Sequence, residues 1–489
     1  MAAQSFHRSA PLLVLVCVVL CTSFLFPGDA SFENDEPTLL QRANDANHTP
    51  CEVLGVSLSF TPARVGLVGT RGVSYGPLPI WFYQLILGIT HDPIVMVRIH
   101  ALLFSGVTAI ALFRLTRAMR LSPWFAALSI FSPWLWQFNR MLWDNTFCIP
   151  LAAITVAGYV DFLATRRRRA LTLAAISLAA MTLVHLMSLA LVGGMMLHFV
   201  LFERRSLVRF RRPLIVIGIL WACVFVPYLK AMSEVHQPPV AAAIESTSIG
   251  WWHPLMGALH LTAFGWLAGS LSHLPAIVRT CESLSLMANV AVWLGMALVL
   301  YRARSRAGLG AFTPMDQCAL MCLFVAACQA ILDGFERIDL MPHYFNATWI
   351  AYVLLAWYGV DAARRRSRRW AMGVYLYAAA YIAPVLIVLV TGIYFIHVNS
   401  GTRAVDYGTV LREQMRAAQR INEFSPDCPV DMTYPQWSLF PWALRDLIAL
   451  LPPKTSPRPV RRLVVRYRDA YPDDARIAVD DFPMWSNSP

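Results

Sequence analysis

Apolar runs of close to twenty residues recur along this chain, separated by short polar stretches rich in arginine. A run of that length is what an α-helix needs to cross the ~30 Å hydrocarbon layer of a bilayer. The pattern predicts spans near 10–27, 95–114, 122–138, 146–164, 170–186, 188–202, 213–229, 285–301, 314–332, 344–361 and 371–397, eleven in all. Trp81–Ile89 is apolar and aromatic but too short to span, and reads as a helix lying at the headgroup level. Pro37, with Asp35 and Glu36 before it, predicts a short surface helix over Pro37–Ala46. Leu255–Leu271 is apolar enough for a re-entrant or interfacial helix.

From about Asn399 the chain becomes polar. Tyr407–Asn422 has an amphipathic helical pattern, while Arg462–Tyr467 and Ile477–Asp481 alternate as strands do. The expected fold class is therefore an all-α polytopic membrane protein of about eleven transmembrane helices over residues 1–398. Its first outer loop covers 28–94, and a small extracytoplasmic α/β subdomain follows over 399–489.

Composition agrees with the pattern: of 489 residues, 57% are hydrophobic and 14% charged, well under the roughly 25% charged residues of a soluble protein. The net charge of +12 invites a nucleic-acid reading, but its distribution is that of a membrane topology. Arginines cluster at 114–120, 166–169, 204–212, 302–306 and 364–369, each cluster after an alternate span. Basic loops stay cytoplasmic, so the loops between them face outward, and nucleic acid is not an expected partner. His7 and Arg8 precede the first apolar run and Gly28-Asp29-Ala30 resembles a signal-peptidase site. The run is long for a signal peptide, so a retained helix is expected. The ten cysteines show no CxxC or Cys/His metal spacing.

Candidate chemistry lies in the outward loops. Asp35 and Glu36 stand where the chain leaves the first span. One of them, Asp35, could act as a general base with Glu36 in support, since a carboxylate within ~3 Å of an acceptor hydroxyl removes its proton as a new bond forms. An aspartate ahead of a proline-led helix also makes a helix cap, and by local pattern the two readings weigh about equally. In the short loop 138–145, Arg140 breaks the charge bias and suits a phosphate. Asp144 could orient an acceptor or a cation. The competing reading is an i,i+4 ion pair closing a helix end. Arg337, His343 and Tyr344 sit at a third outward mouth, suited to a phosphate or sugar hydroxyl and equally to interfacial anchoring. Arg71 and Tyr75 flank the interfacial helix, where an anionic headgroup would pass. His185, alone at a helix end, reads as structural. No P-loop, GxGxxG or GxSxG motif occurs.

The order of these features carries a resemblance. An acidic pair in the first outer loop is followed by Tyr75-Gly76-Pro77-Leu78-Pro79, Val97-Arg98, Ser132-Pro133-Trp134, Asn139-Arg140 and Asp144. Over roughly residues 10–360 this resembles the membrane glycosyltransferases of superfamily C (GT-C), especially the protein-mannosyltransferase, aminoarabinose-transferase and RgtA/B/C/D-like group. The resemblance implies a polyprenyl-phosphate-linked sugar donor, inverting transfer to a glycan, lipid or protein acceptor, and an active site on the periplasmic side of the inner (plasma) membrane. It places the catalytic acidic residue, a general base, on Asp35, with Glu36 beside it, and the second-loop basic and acidic positions on Arg140 and Asp144. No cofactor follows from it, and a divalent metal is left open because relatives differ. Many relatives have His-Pro-Pro where this chain has Gly76-Pro77-Leu78, so no histidine role carries over there. Two alternatives remain: a glycan polymerase or ligase of the O-antigen type, and a lipid or sugar transporter without chemistry.

Overall fold

The computed structural model describes residues 2–32, 36–47, 52–53, 56–57, 76–233, 275–305, 312–336, 342–401, 408–424, 430–433, 444, 447–451, 462–467 and 477–482. The chain is predominantly helical. Five helices are long and apolar enough to cross a membrane: Pro93–Ala118, Asn145–Thr165, Pro275–Ser305, Pro314–Leu332 and Arg368–Asn399. The other apolar runs also fold as helices, at Ala2–Phe24, Arg168–Thr182, Leu189–Phe202, Arg211–Ser233 and Trp349–Arg366.

One expected span takes a different form. The run 122–138 folds as two six-residue helices, Trp124–Ser129 and Pro133–Phe138. Pro133 explains the break: it brings no N–H to a helix and pushes the residue before it out of the α region. Ser132 accordingly has φ −63° and ψ 124°. Hydropathy records that the segment is apolar and cannot record that it is cut.

Close helix packing rests on small residues, as inside membranes. A Cβ on Gly295 would lie 2.0 Å from the Leu355 carbonyl oxygen, and one on Gly194 would lie 2.5 Å from the Val325 backbone. These two contacts join the Pro275–Ser305 helix to Trp349–Arg366, and Leu189–Phe202 to Pro314–Glu336. Toward the arginine-rich ends, Asp316 takes Arg302 Nη1 at 2.5 Å and the Tyr358 hydroxyl at 2.6 Å. Asp361 pairs with Arg364 and Arg365.

The C-terminal region contains the expected helix, Leu411–Ile421, and the expected strands, Arg462–Tyr467 and Ile477–Phe482. A further strand, Val430–Thr433, pairs parallel to Arg462–Tyr467, which pairs antiparallel to Ile477–Phe482. The helix is tied to the last strand through Glu413, whose Oε1 accepts from the Ile477 N–H at 2.9 Å.

Candidate functional site

The site is built from the start of the first outer loop upward. After the Ala2–Phe24 helix the chain turns through Phe26, whose φ of 49° is left-handed, into a short 3₁₀ turn at Pro27–Asp29. Arg140 Nη2 donates to the Phe26 carbonyl, and its guanidinium lies 4.3 Å from the Trp136 ring centroid. The side chain is almost wholly buried (1% exposed), so Arg140 holds the first loop as well as occupying the second. Asp29, read in the sequence only as part of a cleavage-like motif, is 2% exposed, forms an ion pair with Arg412 and is hydrogen-bonded to His397 Nδ1 at 2.8 Å. The His397 ring stacks on Phe26, centroids 3.9 Å apart.

The C-terminal helix then grips the next residues. The Leu411 N–H donates to the Ala30 carbonyl at 3.0 Å, and Gln414 Nε2 donates to the Phe32 carbonyl at 3.0 Å. The surface helix begins at Glu36 and runs to Asn47, one residue longer at each end than its sequence pattern indicates. Its far end is held by Asn47, whose Nδ2 donates to the Gln84 carbonyl and whose Oδ1 accepts from Gln84 Nε2, both at 3.2 Å. Gln84 belongs to the short helix Leu78–Leu87, which covers the expected interfacial segment. That helix is half-buried: Tyr83, Ile86 and Leu87 point inward, and Leu85 and Ile89 are exposed.

Carboxylates from two separate loops act electrostatically on Tyr83. Glu36 and Asp144 are both fully buried (0% exposed). Burial pushes the Tyr83 phenol well above its ordinary pKa, and the negative charges of Glu36 and Asp144 push it further. The Tyr83 hydroxyl lies 3.0 Å from His100 Nδ1, and His100 Nε2 lies 3.3 Å from Thr146 Oγ1. Thr146 also donates to the Trp143 carbonyl at 2.6 Å. Phe82, Phe104 and Phe147 pack around the imidazole. A hydrogen-bonded chain thus runs from the Tyr83 phenol into the apolar bundle, as buried polar groups require.

The turn at Pro342–Phe345 joins the same end of the bundle. Asn346 Nδ2 donates to Asn145 Oδ1 at 2.9 Å, joining it to the second loop. The His343 ring lies 4.5 Å from Trp143 and 4.3 Å from Tyr344, centroid to centroid. Burial lowers the His343 pKa to about 3, aided by His185 nearby, and burial lowers His185 to about 4. His185, expected as a structural residue at a helix end, is buried beside a candidate site residue. Gly76 belongs here too: its N–H donates to the Val184 carbonyl at 2.9 Å, and a Cβ would sit 1.8 Å from the Leu183 carbonyl oxygen. Only glycine fits that approach.

Of the residues expected from sequence, the structure brings Glu36, Arg140, Asp144, His343 and Tyr344 to one end of the bundle. Asp35, Arg71, Tyr75 and Arg337 lie outside the described residues, as does the expected helix Leu255–Leu271. Sequence reasoning missed Tyr83, His100, Thr146 and Asn346, which sit within apolar or aromatic runs and carry no motif. Among the described residues, no group of three or more His, Cys, Asp or Glu side chains is arranged to hold a metal.

An apolar cavity of about 200 Å³ is walled by Trp134, Trp349, Tyr352, Trp357, Tyr377 and Tyr381 among others. The broken segment 124–138 supplies one wall and leads directly into Arg140 and Asp144. No protein-family model matches the chain, and no curated protein is significantly similar to it.

Proposed function

We infer that this chain is a polytopic glycosyltransferase of superfamily C, acting at the periplasmic face of an inner membrane on a polyprenyl-phosphate-linked sugar. In this reading all eleven apolar runs cross the bilayer, the segment 122–138 as a span broken at Pro133. The observation that carries the proposal is that Glu36 and Asp144, from separate loops, are both fully buried and their charges both act on Tyr83; Asp35 directly precedes Glu36 in sequence. Buried carboxylates are costly in a membrane protein and are characteristic of functional sites.

The chemistry is a displacement at the anomeric carbon. Asp35 accepts the proton of the acceptor hydroxyl as that oxygen attacks. The bond from the anomeric carbon to the phosphate oxygen breaks, and the polyprenyl phosphate leaves with the electron pair. Attack opposite the leaving group inverts the configuration. The leaving group is a stable anion, so no strong general acid is needed. Glu36 and Asp144 orient the acceptor and the base, and the polar groups of Arg140 and His343 face the donor phosphate. The cavity lined by Trp134 and Trp349 suits an isoprenoid tail entering from the side. In proteoliposomes given a radiolabelled polyprenyl-phosphate sugar and an envelope acceptor extract, this proposal requires a new glycosidic linkage. Movement of the labelled lipid across the bilayer without a new bond would establish a transporter instead.

A further inference from the structure

A second cavity lies away from the candidate site, between the Asn145–Thr165, Arg168–Thr182, Leu189–Phe202 and Arg211–Ser233 helices. Its volume is about 410 Å³, and its lining is almost wholly apolar, from Leu171, Leu178, Met195, Phe199 and Leu214 among others. One end is closed by Trp221, whose Nε1 donates to Thr182 Oγ1 at 2.7 Å. The other end opens among arginines. Leu207 lines the cavity from within the short helix Arg204–Arg209, and Leu171 lines it just past Arg167, Arg168 and Arg169.

Two features say what fits. The first is length. From Leu171 to Thr182 the wall is helical and about 16 Å long at 1.5 Å per residue, close to half of the ~30 Å hydrocarbon layer. That is the reach of an acyl chain from one leaflet. The second is charge. Arg167, Arg168, Arg169, Arg204, Arg205 and Arg209 are all exposed at the mouth. The one acid among them, Glu203, is buried and bridged by Arg166 and by the Ser206 hydroxyl at 2.9 Å. The partly exposed Asp161 nearby is engaged by Arg114, so among the described residues the rim keeps a marked excess of positive charge, the arrangement by which basic pockets between membrane helices hold lipid headgroups.

We propose that this cavity binds an anionic phospholipid of the adjoining leaflet, with one acyl chain between the helices and its phosphate on the Arg204–Arg209 rim. The proposal does not depend on the glycosyltransferase reading. Gly218 offers a clean probe, since it lines the cavity and a Cβ there meets nothing within 4 Å. Native mass spectrometry of the full chain, titrated with phosphatidylglycerol or phosphatidylcholine, tests it. The expected result is tighter retention of phosphatidylglycerol, by about tenfold or more. Gly218→Leu should lower retention of both lipids, and combined Arg204→Gln, Arg205→Gln and Arg209→Gln should remove the preference, at roughly fivefold per arginine. Unchanged circular dichroism and elution volume will show that each variant folds. Equal retention of the two lipids, or folded variants that bind as the parent does, would overturn the proposal.

Discussion

Gln414, on the helix of the C-terminal subdomain, donates its side-chain N–H to the carbonyl of Phe32 at 3.0 Å, and both residues are buried. Residues nearly four hundred positions apart are thereby joined just before the acidic pair of the first outer loop. The same side chain caps Thr409 O at 2.8 Å. The subdomain thus acts as a clamp on the loop that carries the candidate chemistry. Gln414→Leu takes this donor from both the Phe32 and the Thr409 carbonyls, at about 1–3 kcal/mol for each. Transfer activity should fall more steeply than the melting temperature suggests, because the loop is displaced. Parallel melts and transfer assays on the purified variant check this.

Asp29 anchors the same loop through charge. Breaking a fully buried ion pair costs ~3–5 kcal/mol, but the Arg412 and His397 side chains are each about one-third exposed. We therefore expect Asp29→Asn to lower stability by about 2 kcal/mol, read by thermal unfolding in detergent. A variant as stable as the parent would remove the anchoring role.

Gly76 and Gly106 make an opposed pair. A Cβ on Gly76 collides with the Leu183 backbone, whereas one on Gly106 meets nothing within 4 Å. Gly76→Ala should destabilise the chain by about 1–3 kcal/mol or more, since the obstacle is backbone that cannot rotate aside. Gly106→Ala, within the Pro93–Ala118 helix, should be neutral or stabilising by about 0.5–1 kcal/mol. Similar melting temperatures for the two variants would contradict the packing described here.

Two histidines at the candidate site give a pH signature. His343 and His185 titrate near 3 and 4 in the folded protein, against an ordinary value of about 6.5. The unfolded chain then binds more protons as pH falls below 6.5, so these groups favour the fold above that pH. Their contribution is lost progressively from pH 6.5 down through 4 to 3. His343→Phe, which keeps a ring against Trp143, should flatten the decline in melting temperature between pH 7 and 4. A slope equal to the parent's would show that His343 is not the source.

Much of the helical pattern was legible in sequence because membrane helices must satisfy their backbone internally and hide their polar residues. Hydropathy alone therefore places elements such as Leu189–Phe202 and Arg368–Asn399 to within a few residues. It failed at 122–138, where one proline divides an apolar run into two short helices. The α/β character of the C-terminal region was also legible, from the alternation at Arg462–Tyr467. Its purpose was not, because the contacts of Leu411 and Gln414 with Ala30 and Phe32 join distant segments and leave no local pattern. At the candidate site, charge out of place pointed to Glu36, Arg140 and Asp144. Tyr83 and His100 were invisible, being polar only at their tips and set in aromatic stretches that read as membrane anchor. Asp29 was obscured by its likeness to a cleavage motif.

The central claim is the proposal that Asp35 takes the acceptor proton, with Glu36 and Asp144 orienting the reacting groups. Its most direct test is single-turnover transfer from a radiolabelled polyprenyl-phosphate sugar by purified Asp35→Asn, Glu36→Gln and Asp144→Asn variants, each first shown to be folded by circular dichroism. The account predicts a fall of about 10²–10⁴ for Asp35→Asn and smaller losses, about tenfold or more, for the other two. A folded Asp35→Asn variant that forms the glycosidic bond at the parent's rate would contradict it.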